Sequence, residues 1–342
     1  MKLLVVKTSS MGDVVHALPA ISDLHRHVPG VDVDWLVEAP FAAIPSLHPG
    51  VREVLPMAWR KWRKKLAQRD TWHAMGALRQ RLRDARYDLV IDLQGLVKSA
   101  LWGLQADRPL VGFDRRSARE PWAALCYQRT FHVPRDLHAV ERCRRLMAMH
   151  LGYPMPPVPP DFGLRVPELA WPMPADCGVL IPNASRKEKL WPEARWVAVG
   201  RRLRAYGMTP VVLWGTEAEQ TMAERIAADC GGTVPPFLKV GEMAALLARS
   251  RQVVGLDTGF SHLAAALGRP VVGIYCDHDP GLAGITGAGP VASLGGVGQV
   301  PKLADVMALL DTQVIEAGGT AAAEPPRTEG GSAQVSSMRS AG

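Results

Sequence analysis

Short apolar runs alternate with amphipathic stretches along most of the chain. A short apolar run is typical of a buried strand, and apolar positions spaced by three or four residues are typical of a helix packed on a sheet. The apolar runs predict strands at 3–6, 31–35, 51–55, 87–93, 110–113, 179–181, 210–213, 253–256 and 271–274. The helical spacing predicts helices at 14–21, 72–82, 192–206, 218–230, 242–249, 260–267 and 304–315. Because strands and helices alternate, we expect an α/β fold in which parallel sheets carry helices on both faces.

A proline-rich stretch divides this pattern into two halves. Residues 152–174 contain eight prolines, and proline resists the interior of both helices and sheets. We therefore expect two Rossmann-like, doubly wound domains at 1–155 and 176–317, joined by a linker at 156–175 and facing each other across a cleft. Residues 318–342 are mostly small and polar, which predicts a disordered tail.

Composition is typical of a globular protein, with 47% apolar and 21% charged residues. No apolar run approaches the roughly 20 residues of a membrane span, and the amino-terminal apolar run is too short for a secretion signal. The five cysteines are scattered without a CxxC pair, which argues against a zinc site and against a disulfide framework. These features together predict a cytoplasmic protein.

Positive charge is concentrated in the first half. The net charge is +7, and Arg60–Lys65 form a dense basic run interrupted by one tryptophan. Such a surface attracts phosphate, whether on nucleic acid, on anionic lipid or on a phosphorylated substrate. No nucleic-acid-binding motif surrounds the run, so nucleic acid is the least supported of the three partners.

The first strand is followed by a turn that carries one carboxylate. Lys7-Thr8-Ser9-Ser10-Met11-Gly12-Asp13 leads from the strand into a helix, and the carboxyl ends of strands are where α/β proteins gather ligands. Asp13 is therefore a candidate general base, with His16 as a second candidate. A carboxylate in a first helical turn is also stabilised by the helix dipole without any catalytic role. Both interpretations stay open at this point.

Two segments of the second half combine hydroxyl, amide and cationic groups. Asp257-Thr258-Gly259-Phe260-Ser261-His262 begins a helix directly after a strand, and a helix N-terminus favours anions. Helix capping alone explains the segment about equally well. Asn183–Pro192 includes Lys189 close to another helix start, where its charge would neutralise a diphosphate; a solvated loop is the alternative.

Other chemical motifs are weak or missing. Asp32-Val33-Asp34 is best explained as the polar face of a strand, and Asp277-His278-Asp279 as a turn, although a metal-bound diphosphate would also use such pairs. The sequence has no GxGxxG after its first strand and no P-loop motif, which disfavours dinucleotide oxidoreductases and P-loop enzymes.

Four segments resemble the lipopolysaccharide heptosyltransferases of glycosyltransferase family 9. They are Lys7–Val14, Asp92–Ser99, Ala118–Pro121 and Asp257–His262, and the resemblance extends from residue 1 to about 315. The first segment and the run Trp59-Arg60-Lys61-Trp62-Arg63-Lys64 point to the type I branch. The resemblance implies the two-domain GT-B architecture. It also implies inverting transfer of L-glycero-D-manno-heptose from ADP-heptose to the inner Kdo sugar of Kdo2-lipid A. The alternatives are heptosyltransferase II, which adds heptose to heptose, and a nucleotide-binding module without turnover.

The resemblance also assigns roles to residues. Asp13 would be the base that deprotonates the acceptor, and no metal or other cofactor would be required. The donor site would comprise Ala184, Ser185, Lys189, Glu219, Leu238, Asp257, Thr258, Gly259 and His262. The acceptor site would comprise Ser10, Arg60, Lys61, Arg63, Lys64, Lys98 and Arg119. Two donor positions depart from the family pattern, because Ala184 replaces a threonine and Leu238 a methionine. The basic residues would also attach the protein to the anionic cytoplasmic face of the inner membrane.

Overall fold

The chain is built on two parallel β-sheets that lie in its two halves. The structure, a computed structural model, describes residues 1–319. The strands are β1 Lys2–Val6, β2 Asp32–Glu38, β3 Glu53–Met57, β4 Leu89–Asp92, β5 Leu110–Phe113, β6 Arg129–Phe131, β7 Cys177–Ile181, β8 Thr209–Val212, β9 Gln252–Leu256, β10 Val271–Tyr275 and β11 Val291–Gly295. The first sheet has the strand order β3-β2-β1-β4-β5-β6 and the second the order β11-β10-β9-β7-β8. The expected α/β fold with two doubly wound domains is confirmed.

The described residues form twelve α-helices. They are α1 Met11–His27, α2 Ala43–Ser46, α3 Trp59–Trp62, α4 Arg69–Asp84, α5 Val97–Gly103, α6 Ala139–Leu151, α7 Glu193–Ala205, α8 Glu217–Cys230, α9 Val240–Arg249, α10 Gly259–Ala266, α11 Pro280–Ala283 and α12 Leu303–Gly319. Short 3₁₀ helices occur at Ala39–Phe41, Leu104–Ala106, Pro121–Cys126 and Lys187–Lys189. No helix of residues 1–319 is long and apolar enough to cross a bilayer.

The strand order places one switch point in each sheet. β1 pairs with β2 on one side and β4 on the other, and β7 lies between β8 and β9. At these places the order in which successive strands are added to the sheet reverses, which opens a crevice at the carboxyl ends of the strands. The loops that follow β1, β4, β7 and β9 therefore meet where the two sheets face each other.

A continuous apolar core ties the two halves together. One cluster of buried side chains includes Val5 of the first sheet, Val179 of the second, Leu18 of α1 and Leu263 of α10. Helix α1 packs against both α6 and α10. Because α1 carries Asp13 and α10 follows Asp257, this packing fixes the two candidate segments relative to each other.

The sequence prediction missed seven elements, which are the helices α2, α3, α5, α6 and α11 and the strands β6 and β11. Helix α6 does carry the helical spacing, with Val140, Cys143, Leu146 and Met147 buried, and arginines lie between these apolar positions. Strands β6 and β11 are edge strands of three and five residues without fully buried positions. Residues 152–176 contain neither helix nor strand, and the part of the expected tail from residue 320 on lies outside the described residues.

Candidate active site

A cleft of about 430 Å³ lies between the two domains at the carboxyl ends of the strands. The first domain contributes Ser10, Met11, Gly12, Phe41 and Arg60 to its wall. The second domain contributes Ile181, Asn183, Ala184, Ser185, Lys189, Leu213, Trp214, Gly215, Glu219, Met243, Asp257, Thr258, Gly259 and Phe260. The structure thus brings together seven of the nine predicted donor-site residues and two of the predicted acceptor-site residues.

Asp13 lies beside this cleft in the first turn of α1. Its Oδ2 accepts hydrogen bonds from the backbone N–H of Ser10, at 2.7 Å, and from the Ser10 hydroxyl, at 2.9 Å. Among the described residues no hydrogen bond reaches Oδ1. The carboxylate therefore stabilises the helix start, as the structural interpretation predicts, and still has one oxygen available for a ligand.

The surroundings of Asp13 keep it ionised. Burial raises its pKa, but the charge of Lys7, the two hydrogen bonds from Ser10 and the charge of Arg119 outweigh burial, so the pKa lies below the ordinary value of 3.8. Arg119 Nη1 lies 3.8 Å from Asp13 Oδ2. A carboxylate with a low pKa is a weak base, so it can take a proton only as a new bond forms on the oxygen that loses it.

Gln94 and Asp92 hold the loop that precedes Asp13. The side-chain oxygen of Gln94 accepts from the backbone N–H groups of Thr8, at 3.0 Å, and Ser9, at 3.2 Å. Asp92 in turn accepts from the backbone N–H of Gln94, at 2.7 Å, and from the hydroxyl groups of Ser99 and Tyr127. Through this buried network the segment Asp92–Ser99 holds the loop before Asp13 in place. The sequence analysis did not assign this role.

Thr258 supplies an unpartnered hydroxyl to the opposite wall. It is the N-cap residue of α10, yet its side chain makes no capping hydrogen bond, and its Oγ1 is buried without a partner among the described residues. The capping interpretation is therefore wrong for the Thr258 side chain. A buried hydroxyl without a partner is costly, and a ligand at the helix N-terminus would satisfy it.

Asp257 connects the cation of the cleft to a pair of histidines. Its Oδ2 forms an ion pair with Lys189, and its Oδ1 lies 3.3 Å from His262 Nε2. Burial raises the pKa of Asp257, but the hydrogen bonds and charges of His262 and Lys189 outweigh burial and bring it to about 2. His262 Nδ1 lies 3.2 Å from His16 Nε2, so this chain of contacts crosses from one domain to the other.

These contacts change the roles expected for three residues. Burial and the nearby His262 hold the pKa of His16 well below 6.5, and its side chain faces His262 rather than the cleft, so it is a structural residue of the domain interface. His262 is buried behind the cleft with both ring nitrogens engaged, and its contact with a diphosphate stays a prediction. Asp257 holds Lys189 and His262, and its own contact with the donor stays a prediction.

At Gly259 the second domain approaches the first domain closely. A Cβ atom built on Gly259 would lie 2.3 Å from the side chain of Met11, which belongs to the first turn of α1. Only glycine permits this approach, and it brings the N-termini of α1 and α10 together. Both helix ends carry partial positive charge, which favours an anion between them.

The remaining donor candidates are divided between the wall and the core. Glu219 lines the cleft and accepts from the Gly215 backbone N–H at 2.8 Å. Leu238 is buried in the apolar core and does not line the cleft, whereas Met243 does. The sequence analysis did not assign Met243 or Trp214 to the site, and it included Asn183 and Phe260 only as members of the two segments. Trp214 and Asn183 lie two residues after the ends of β8 and β7, and that position was the signal that would have identified them.

The predicted acceptor cations spread outward from the cleft. Arg60 lines the cleft and stacks on Phe41, with 5.5 Å between its guanidinium and the ring centre. Lys98 Nζ donates to Ser9 Oγ at 3.1 Å, next to the Asp13 loop. Lys61, Arg63 and Lys64 are exposed on or just after α3. A buried carboxylate, Glu38, lies among these cations, and burial raises its pKa despite the charges of Lys98 and Arg60.

The aspartate pairs Asp32/Asp34 and Asp277/Asp279 do not form a metal-binding group among the described residues. Asp279 Oδ1 accepts from the backbone N–H of Gly281 at the start of α11, which confirms a turn, and Asp277 pairs with Arg186 at 3.2 Å. Asp34 is fully buried and bonded to Arg52 and Tyr87, so its placement on a polar face is wrong. No cluster of three or more histidine, cysteine, aspartate or glutamate side chains suited to a metal occurs in the described part of the chain.

Comparison with known proteins places this architecture. The chain is 43% identical to lipopolysaccharide heptosyltransferase 1 of Pseudomonas aeruginosa over 85% of this chain and 83% of that protein. It superposes on E. coli heptosyltransferase WaaC with ADP with a TM-score of 0.85 and 37% identity, covering 92% of this chain and all of that one. A structure of WaaC with ADP-2-deoxy-2-fluoro heptose gives a TM-score of 0.79 and 35% identity over 93% of this chain. These matches confirm the expected GT-B architecture.

The type II alternative is a more distant match. Lipopolysaccharide heptosyltransferase 2 of E. coli is 24% identical over 82% of this chain and 84% of that protein. The model of glycosyltransferase family 9 (heptosyltransferase) matches residues 75–304. With this match and the identity to type 1 relatives over most of its length, the chain belongs to the heptosyltransferases of glycosyltransferase family 9 and is a glycosyltransferase.

Proposed function

We propose that the chain is a type 1 lipopolysaccharide heptosyltransferase. It transfers L-glycero-D-manno-heptose from ADP-heptose to the inner Kdo of Kdo2-lipid A, with inversion at the anomeric carbon. The observation that carries the proposal is the pairing of two unlike walls. One wall has an ionised carboxylate with an open oxygen, and the other has a cation and an unpartnered hydroxyl at a helix N-terminus.

The donor wall suits a nucleoside diphosphate. Thr258 Oγ1 and the N-terminus of α10 would donate to the diphosphate, and Lys189 would exchange part of its contact with Asp257 for the phosphate charge. Glu219 and Met243 lie farther along the same wall, where a ribose and an apolar base surface would meet them. Two WaaC structures whose bound ligands are ADP and an ADP-heptose analogue support this class of donor.

The acceptor wall suits an anionic sugar. Asp13 Oδ1 would receive the proton of the attacking hydroxyl as the bond to the anomeric carbon forms and the bond to the diphosphate breaks. The released ADP carries the electron pair of that bond, and its charge is met by Lys189 and by the α10 dipole. Because the leaving group is already a stabilised anion, one carboxylate suffices, and we propose that no metal is required.

The cations Arg60, Lys61, Arg63, Lys64, Lys98 and Arg119 would contact the carboxylates and phosphates of the acceptor. The same cations would hold the protein to an anionic bilayer, with each surface cation contributing on the order of 1 kcal/mol. We propose that this membrane is the cytoplasmic face of the inner membrane.

A product assay tests the proposal. Purified protein is incubated with ADP-heptose and Kdo2-lipid A, with and without EDTA, and the product is identified by mass spectrometry. We expect addition of one heptose and equal rates with and without EDTA. Failure to modify Kdo2-lipid A together with transfer to an acceptor that already carries heptose would replace the proposal with type II activity.

A further inference from the structure

A second cavity lies on the outer side of the first domain, between α3, α4 and α5. Its volume is about 700 Å³, and its wall is mainly apolar. The apolar side chains are those of Trp59, Trp72, Met75, Val97, Leu101 and Trp102. We call this cavity the tryptophan groove. It shares no lining residue with the cleft between the domains.

The tryptophan groove has buried and exposed apolar side chains in its wall. Trp72 donates its indole N–H to the Leu66 carbonyl at 2.7 Å, which satisfies its polar group, while the side chain stays 58% exposed. Leu101 is 50% exposed. Trp59 and Trp102 form an edge-to-face pair with ring centres 6.5 Å apart. Large apolar side chains held in an exposed concave surface usually mark a binding site.

Cations line the side of the tryptophan groove that is nearest to the predicted acceptor residues. Arg79 and Lys98 lie on its wall, and the basic run Arg60–Lys65 continues from Trp59 along α3. One carboxylate, Glu120, also lines the groove, but it accepts from the backbone N–H of Val97 at 2.7 Å and so is engaged at the start of α5. An apolar cavity beside clustered cations matches an amphiphile with an anionic head and a hydrocarbon chain.

The neighbouring surface extends the same character. The 3₁₀ helix Pro121–Cys126 packs against α5 and presents Trp122 and Leu125, which are 63% and 72% exposed. Exposed tryptophan and leucine beside arginine are typical of proteins that lie in the interface of a bilayer. Arg115 stacks on Trp122 at 5.2 Å, which keeps positive charge at this surface as well.

We infer that the tryptophan groove binds an acyl chain of an anionic bilayer phospholipid. The chain lies along the aromatic wall, and the lipid phosphate contacts Arg79 and the basic run. Because groove and cleft have no lining residue in common, a bilayer lipid occupies the groove while the cleft turns over its substrates. The inference deepens the proposed function, since it identifies how the enzyme is held at the membrane that contains its acceptor.

Gly76 provides the variant that tests the groove. It lines the groove within α4, and a Cβ atom built on it meets nothing within 4 Å, so Gly76→Leu fills the groove without a clash in the backbone. Ala77→Leu is the matched control, because Ala77 lies on the same helix, is exposed and does not line the groove. Leu101→Gln is a second variant that makes the wall polar. Circular dichroism verifies that all three fold.

The full-chain proteins are sedimented with vesicles of phosphatidylglycerol and phosphatidylcholine, and titrated with monomeric decyl phosphate and with butyl phosphate. We expect Gly76→Leu and Leu101→Gln to lower vesicle and decyl phosphate affinity at least fivefold, with Ala77→Leu equal to wild type. Butyl phosphate, which has the head but a short chain, should bind at least tenfold more weakly than decyl phosphate. Equal binding by Gly76→Leu and Ala77→Leu would overturn the inference.

Heptose transfer to a fully deacylated, soluble acceptor separates the two proposals. We expect Gly76→Leu to keep the wild-type kcat in that assay while it loses vesicle binding. If neither wild type nor any variant transfers heptose while vesicle binding still depends on the groove, the proposed function is refuted. The assignment of the groove as a lipid site then still stands.

Discussion

Replacing Asp13 with asparagine tests the central step of the proposed mechanism. Asparagine keeps the shape of the side chain and an oxygen that can accept from the Ser10 N–H, but it cannot accept a proton at neutral pH. General base catalysis contributes about 10²–10⁴ in rate, which corresponds to about 3–5 kcal/mol of barrier. We therefore expect kcat to fall by at least a hundredfold.

The same substitution should have little effect on folding and donor binding. A carboxylate at a helix N-terminus contributes about 0.3–1 kcal/mol, so we expect Tm to fall by no more than a few degrees. Asp13 makes its hydrogen bonds to Ser10 on the acceptor side, so Kd for ADP should be unchanged. Rates are measured as ADP release with Kdo2-lipid A, and Kd by calorimetry.

The pH dependence gives an independent check. Because the pKa of Asp13 lies below 3.8, the carboxylate stays ionised from pH 8 down to pH 5. Its ionisation therefore contributes no loss of kcat in that range. A rate that remains within tenfold of wild type in Asp13→Asn, or a large loss of ADP affinity in that variant, would refute the role of Asp13 as the base.

Four further predictions concern the donor wall and the domain contact. Thr258→Val should weaken ADP binding about 5- to 100-fold, measured by calorimetry, and should leave Tm unchanged because the hydroxyl has no partner in the free protein; equal affinity would contradict its contact with the donor. Lys189→Ala should raise Kd for ADP at least tenfold because the cation is lost and the charge of Asp257 then repels the phosphate, and adding Asp257→Asn should recover part of the loss. Asp257→Asn alone should cost about 2 kcal/mol of unfolding free energy at pH 7, because a pKa lowered from 3.8 to about 2 stabilises the folded state above pH 4. In denaturant titrations, the difference in unfolding free energy between wild type and variant should shrink as pH falls from 4 to 2. Gly259→Ala should lower Tm and kcat because its Cβ meets Met11, and Met11→Ala should restore both; no rescue would show that the contact is not limiting.

The sequence predicted the fold and the location of the candidate site because both depend on local patterns. Asp13 and Thr258 each follow an apolar run and begin a helix, and in a parallel sheet that position alone places a residue at the ligand-binding edge. The identity of the anion site and the choice of Asp13 depended on the resemblance to a family. Spacing left capping open for the Asp257–His262 segment and helix-dipole stabilisation open for Asp13.

The rest depends on contacts between distant positions. The ion pair of Lys189 with Asp257 joins residues 68 positions apart, and Gln94 supports Ser9 from 85 positions away. No local pattern encodes such distances. The prediction that Leu238 lines the site stayed without support because its neighbours, not its own character, decide whether it faces the core or the cleft. The tryptophan groove was likewise not predicted, since its rings come from three helices.

The unequal engagement of the two Asp13 oxygens has a consequence for which product forms. The two hydrogen bonds from Ser10 to Oδ2 restrain rotation of the Asp13 carboxylate and so orient Oδ1. The hydroxyl groups of a sugar differ little in acidity, and a base free to rotate would activate several of them. In the mechanism that we propose, the carboxylate held by Ser10 would select its hydroxyl by position, so the first turn of α1 would set the regiochemistry of the glycosidic bond.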